Sequence, residues 1–207
     1  MENILNLYKQ PYDPKNPVVC FDERPCQLID DVLTPVAMKP SKPKQEHHEY
    51  KRNGTCSLFI AFCPGTGQRY TKVKKTRTRY DYALFMQTLA SKFPDAQKIH
   101  IVQDNLNTHE FGSFYTAFTP EKAWSLSQKF CFHYTPKKAS WLNMAEIELS
   151  AISRQCLDRR IGNIETLEKE VSIWTKIRNQ KCTTVDWQFS EKDARDKFKR
   201  FYALVKS

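Results

Sequence analysis

Short apolar runs bounded by polar turns alternate along this chain with longer stretches in which apolar residues recur every three or four positions. Val18-Val19-Cys20-Phe21 reads as a first strand, stopping at Asp22-Glu23. Cys56 to Cys63 is a second, closed by Pro64-Gly65-Thr66-Gly67, and Arg69 to Thr76 returns as its hairpin partner. Ile99 to Val102 and Phe130 to Tyr134 are two further strands. Between the third and fourth, Tyr82, Phe85, Met86, Leu89 and Phe93 share one face of a helix over Tyr80 to Phe93. Phe111 to Phe118 and Glu121 to Ser127 read as helical, separated by Pro120, a favoured first-turn residue. Helices then follow over Trp141 to Leu157, Ile164 to Arg178 and Ser190 to Tyr202, the last capped by Ser190 with Asp193 three residues on.

This order predicts an α/β fold: a mixed five-stranded sheet flanked by helices, with a helical C-terminal tail. The stretch from Arg24 to Arg52 interrupts it. Pro25, Pro35, Pro40 and Pro43 lie there among Lys39, Lys42, Lys44 and Lys51. Proline at that density opposes a helix or a central strand, so the segment reads as a proline-rich surface insertion after the first strand. Residues 1–17 read as a linker and 18–207 as one domain.

Composition narrows the partners. Lysine and arginine exceed aspartate and glutamate by 33 − 23 = 10 among 207 residues, and a basic surface of that size favours a polyanion such as nucleic acid. No apolar run approaches the roughly 18–20 residues of a membrane helix, and the N-terminus does not resemble a secretory signal. The seven cysteines form no C-x-x-C pair, and Cys20, Cys56, Cys63 and Cys131 lie in apolar runs as small hydrophobes. Reduced thiols suit a cytoplasmic protein, and the basic balance leads us to expect association with the nucleoid. His47 and His48, between Glu46 and Glu49, sit in a lysine-rich segment that reads as a solvated loop.

Two strands deliver an acid, Asp22 after Phe21 and Asp104 after Gln103. Open α/β sheets place their sites at the carboxyl ends of strands, and two carboxylates meeting there repel unless a cation lies between them. Mg²⁺ or Mn²⁺, which take carboxylate oxygen, suit such a pair. A third carboxylate belongs to the helix after Trp141. Leu142, Ala145, Leu149, Ile152 and Cys156 form its apolar stripe, and Glu146 and Glu148 flank that stripe on opposite sides. Helical periodicity does not choose between them.

Three blocks, Val19-Cys-Phe-Asp22-Glu23, Val102-Gln-Asp104-Asn-Leu-Asn-Thr-His109 and Ser140-Trp-Leu-Asn-Met-Ala-Glu146, fall in order along the chain. Together with His133-Tyr-Thr-Pro-Lys137 and Arg154 to Arg160, they resemble the signature blocks of bacterial mariner-like insertion-sequence transposases, in the DDE superfamily of endonucleases. The resemblance implies a ribonuclease H-like fold and a catalytic, metal-binding triad of Asp22, Asp104 and Glu146, with Glu148 as the fallback. It implies two Mg²⁺ or Mn²⁺ ions, with Asn105, Asn107, His109 and Asn143 orienting the ligands. It implies metal-dependent cleavage and strand transfer on double-stranded DNA, at element ends and target. The segment Arg24 to Arg52 is similar in position to the clamp through which mariner-type subunits dimerise and grip DNA. Such transposases usually begin with helix-turn-helix modules, whereas 17 residues precede Val18 here. A separate DNA-binding chain from an upstream reading frame is therefore an expected partner. The alternative is a truncated, transposition-incompetent regulator that forms mixed oligomers with a full-length transposase. Arg69, Lys72, Lys74, Lys75, Arg77, Arg79, Lys137 and Lys138 are expected to touch the DNA backbone.

Overall fold

The computed structural model describes residues 1–33, 40–41, 48–137 and 139–199. Five strands form one sheet: β1 (Val18–Asp31), β2 (Tyr50–Cys63), β3 (Gln68–Lys74), β4 (Ile99–Gln103) and β5 (Phe130–Tyr134). Their order is β3-β2-β1-β4-β5; β1–β2 and β2–β3 are antiparallel, β1–β4 and β4–β5 parallel. The alternation of side chains sorts the core onto two faces. Cys20, Leu58, Ile60, Phe62 and Val102 point to one. There they meet helices α1 (Glu2–Lys9), α5 (Ala145–Gln155) and α6 (Ile164–Gln180). Val19, Phe21, Phe59, Ala61, Ile99 and Ile101 point to the other. That face is covered by α2 (Arg79–Ala90), α3 (Gly112–Tyr115) and α4 (Pro120–Lys129). A last short helix, α7 (Glu191–Lys197), carries the predicted Ser190–Asp193 capping box.

Three expectations need correction. First, β1 does not stop at Asp22. It continues to Asp31 paired with β2, and Pro25 sits opposite Ser57 within the ladder. The parallel β1–β4 ladder ends at Cys20↔Val102, so beyond it β1 has a partner on one side only. A proline is tolerated there because no neighbour needs its missing N–H. The insertion is thus the far part of a long hairpin, in which β2 carries a bulge near Gly54, at φ 100°, opposite the Gln27/Ile29 register shift. Residues 34–39 and 42–47, including Glu46 and His47, lie outside the described residues, as do residues 200–202 of the helix expected over Ser190 to Tyr202.

Second, the segment read as a linker over residues 1–17 contains α1, whose Ile4, Leu5 and Leu7 are buried in the core. Tyr8 Oη donates to the Leu142 carbonyl at 2.7 Å, so α1 supports the turn that precedes α5. Third, Trp141 to Leu157 is not one helix. A single 3-10 turn, Ser140–Leu142, is separated from α5 by Asn143 in an extended conformation, φ −85° and ψ 109°.

Candidate active site

Where β1 leaves β4, successive residues of β1 face opposite ways. Asp22 points toward α5, into a groove it shares with Glu146, Ser150 and Ser153. Glu23 points to the other face and meets His109. Asn143 joins β1 to α5. Its Nδ2 donates to the Phe21 carbonyl at 2.7 Å, its Oδ1 accepts from the Ala145 N–H at 3.2 Å, and its own carbonyl accepts from the Glu146 N–H at 3.1 Å. One buried amide therefore fixes the first turn of α5, with Glu146 on it, against the residue before Asp22.

Asp104 follows β4 directly. Its Oδ1 meets His109 Nδ1 at 2.5 Å and accepts from the Leu106 N–H at 3.3 Å. His109 Nε2 lies 3.0 Å from Glu23 Oε2, so one buried imidazole spans two carboxylates. Its ring is stacked on Tyr82 and edged by Phe21. Its carbonyl accepts from Gln103 Nε2 and from Tyr134 Oη, at 2.8 and 2.9 Å. These bonds tie the loop 104–109 to β4, β5 and Glu23.

Electrostatics follow the geometry. Burial pushes the Asp22 carboxyl up to about 7; the charges of Glu146 and Asp104 add to this, against a hydrogen bond from the Glu23 N–H at 2.7 Å. Burial alone would lower His109. The hydrogen bonds to Asp104 and Glu23, and their charges, outweigh it and raise the imidazole to about 9. Asp104 is correspondingly held below the usual carboxylate range, chiefly by the His109 hydrogen bond.

The two glutamates of α5 part company. Glu146 is exposed at the groove, whereas Glu148 is fully buried. Arg69 Nε and Arg178 Nε reach Glu148 Oε2 at 2.5 and 2.8 Å, and the other guanidinium nitrogens reach Oε1 at 2.8 and 3.1 Å. Arg69 also donates to the Thr183 carbonyl and lies over the Phe62 ring. This corrects its reading as a DNA-backbone residue: alternation along β3 turns it inward, under α6. Of the other residues expected at the DNA backbone, Lys75 and Lys137 are exposed, Lys72 pairs with Glu168, and Arg79 pairs with Glu110 at 2.8 Å. Lys74 lies 3.9 Å from Asp81, and Arg77 lies 3.8 Å from Glu23 at the edge of the site. Lys138 is outside the described residues. Asn105 and Asn107 are exposed, and neither hydrogen-bonds an acid among the described residues. Glu23 is linked to Asp104 through His109. The Asp-Glu pair was visible in sequence, but its split between faces required knowing that the strand continues.

Asp22, Asp104 and Glu146 offer oxygen donors of the hard kind that Mg²⁺ and Mn²⁺ take. Glu23 Oε1, buried and without a hydrogen-bond partner among the described residues, adds to the negative potential. The donor set fits a divalent metal. The three carboxylates do not come within 4.8 Å of one another, as one histidine–cysteine group elsewhere does.

Residues 17–168 match the family model described as DDE superfamily endonuclease. No curated protein matches the chain. Among solved structures, the chain is similar to the Mos1 mariner paired-end complex with Mn, at 17% identity and TM-score 0.58, over 87% of this chain and 54% of that one. It is similar to the Mos1 strand transfer complex, at 16% identity and TM-score 0.54, over 87% and 57%. It is also similar to the catalytic domain of Mos1 mariner transposase, at 14% identity and TM-score 0.54, over 87% of both chains. Identity this low speaks for the fold, which is ribonuclease H-like as in that catalytic domain. The chain spans little more than half the length of the chains in the two complexes.

Proposed function

Since the chain belongs to the DDE superfamily of endonucleases, we propose that it is the catalytic domain of a bacterial mariner-like insertion-sequence transposase, cutting and joining double-stranded DNA during transposition. The observation that carries this reading is the groove at the β1–β4 divergence. There burial and the charges of Glu146 and Asp104 raise Asp22, and Asn143 ties the helix bearing Glu146 to the strand bearing Asp22. In this reading Asp22, Asp104 and Glu146 hold Mg²⁺ or Mn²⁺, as two ions. When bound, these supply Lewis acidity at the scissile phosphate and lower the pKa of the attacking water.

The chain's own groups do the rest. His109, as imidazolium between Glu23 and Asp104, fixes the rotamer of Asp104 and offsets part of the negative charge. Asn143 sets the position of Glu146. The exposed Lys75, Arg77 and Arg79 lie along the end of β3 and the start of α2, and Arg77 reaches the rim of the site. There they steady the DNA backbone without reading sequence. The nucleophiles are water and then the freed 3′-hydroxyl, so no side-chain nucleophile is required. The long β1–β2 hairpin is the segment through which two copies would pair around DNA.

The test is cleavage of duplex DNA by the purified chain, supplied with Mg²⁺ or Mn²⁺ and in parallel with Ca²⁺. Cleavage with the first two and little with Ca²⁺ is expected, because the larger Ca²⁺ coordinates more loosely. Equal cleavage with Ca²⁺, or cleavage that survives chelation, contradicts the reading.

A further inference from the structure

At the other end of β4, His100, Cys131 and His133 stand together on the face that packs against α1. Their ligand atoms all lie within 4.8 Å of one another. The parallel register explains the grouping. His100 is directly opposite Cys131, and His133 follows Cys131 by two residues, on the same side of β5. His100 Nδ1 and His133 Nε2 are 2.9 Å apart, and His133 Nδ1 is met by the Asn3 amide of α1 at 3.5 Å. All three side chains are half-buried, and Cys131 is a free thiol.

We infer that His100 Nδ1, Cys131 Sγ and His133 Nε2 form a second metal site, for a borderline-soft divalent ion such as Zn²⁺, that pins β4 to β5 beneath α1. Two imidazoles and a thiolate are a nitrogen–sulfur set, unlike the all-oxygen set at Asp22, Asp104 and Glu146, and they select Zn²⁺ over Mg²⁺. With bond lengths of about 2.0–2.3 Å, tetrahedral ligand atoms lie roughly 3.3–3.7 Å apart. Small rotations about the side-chain bonds bring the observed trio to that spacing and leave the fourth position to water. Burial holds both imidazoles below the usual histidine range, in the neutral form that ligates. Binding releases the thiol proton and replaces the imidazole–imidazole hydrogen bond. Asn3 then accepts from His133 Nδ1–H through its amide oxygen, a bond from outside the ligand set that fixes the ring. His100 precedes Asp104 by four residues, about 13 Å of strand, so the two sites do not share a ligand.

The test is a Co²⁺ titration of the chelator-treated, reduced full chain. One equivalent is expected to give a thiolate-to-cobalt charge-transfer band and the strong visible absorption of tetrahedral cobalt. Cys131→Ser should abolish the charge-transfer band, and Asp104→Asn should leave it intact, which separates this site from the proposed catalytic one. Absence of the band, or its persistence in Cys131→Ser, overturns the inference. A second measurement needs no variant: Zn²⁺ should slow alkylation of Cys131, located by peptide mass spectrometry, while the exposed Cys182 reacts as before. Alkylation of Cys131 at the same rate with and without Zn²⁺ overturns it too. Asn3→Ala should weaken Zn²⁺ binding about tenfold or more.

Discussion

Two glutamates two positions apart on α5 have different work, and each predicts its own phenotype. Glu148 is a buried carboxylate between Arg69 and Arg178, whose hydrogen bonds hold it below the usual range despite burial. Glu148→Ala leaves the Arg69 guanidinium buried without its partner, so a loss of about 3–5 kcal/mol in urea unfolding is expected. A loss under about 1 kcal/mol would show that the Arg69–Glu148–Arg178 group contributes little. His109 gives a pH dependence. Its pKa is raised to about 9 in the fold, against an ordinary value of 6.5. The stability it contributes is therefore complete below about 6.5 and lost as pH rises through about 9. The urea midpoint should fall across that window in the native chain and fall less in His109→Gln; parallel curves would remove His109 from the linkage. At this scale the sequence supplied the acid positions, because acids following apolar runs are visible without a structure. It did not place Arg69, whose inward face depends on α6 covering β3, nor separate Glu146 from Glu148 by periodicity.

The elements that carry these residues are joined at a few points, and Asn143 is the most consequential. Asn143→Ala removes the acceptor of the Ala145 N–H and strands the Phe21 carbonyl, for a combined cost of about 2–4 kcal/mol. DNA cleavage should drop further than duplex binding does, because Glu146 loses its register against Asp22. Equal losses in both would mean that Asn143 serves folding alone. Helix α1 buries Leu5 and props the turn before Asn143 through Tyr8. Leu5→Ala should cost about 2–5 kcal/mol by leaving a cavity, and an unchanged unfolding midpoint would show that α1 is not part of the cooperative unit. Strands and helices with strong periodicity were legible from sequence. The continuation of β1 through Pro25 was not, because whether a proline is tolerated depends on which side of the strand lacks a neighbour. The break at Asn143 was hidden for a similar reason: its partner is a carbonyl on another element.

Across the whole molecule, the order β3-β2-β1-β4-β5 sets β1 beside β4, which turns two distant acids into neighbours at one edge. That order cannot be read from periodicity; the expectation that Asp22 and Asp104 meet came from their places at the carboxyl ends of two strands, and the three ordered blocks agreed with it. The same pairing of β4 with β5 assembles His100, Cys131 and His133, which lie too far apart in sequence to resemble a ligand motif. The net charge of +10 is a property of this scale as well. Duplex binding should weaken steeply with salt, and replacing Lys75, Arg77 and Arg79 together should lower the log–log slope by about 0.9 for each phosphate no longer neutralised. A slope unchanged by the triple substitution would move the DNA path elsewhere. The central claim is that Asp22, Asp104 and Glu146 form one metal-dependent DNA-cutting site. It is met most directly by nicking of supercoiled DNA in Mn²⁺ by the native chain and by Glu146→Gln, with the variant's unfolding midpoint measured alongside. Nicking by the native chain that is abolished in a fully folded Glu146→Gln is the predicted result, and undiminished nicking by that variant would contradict the account.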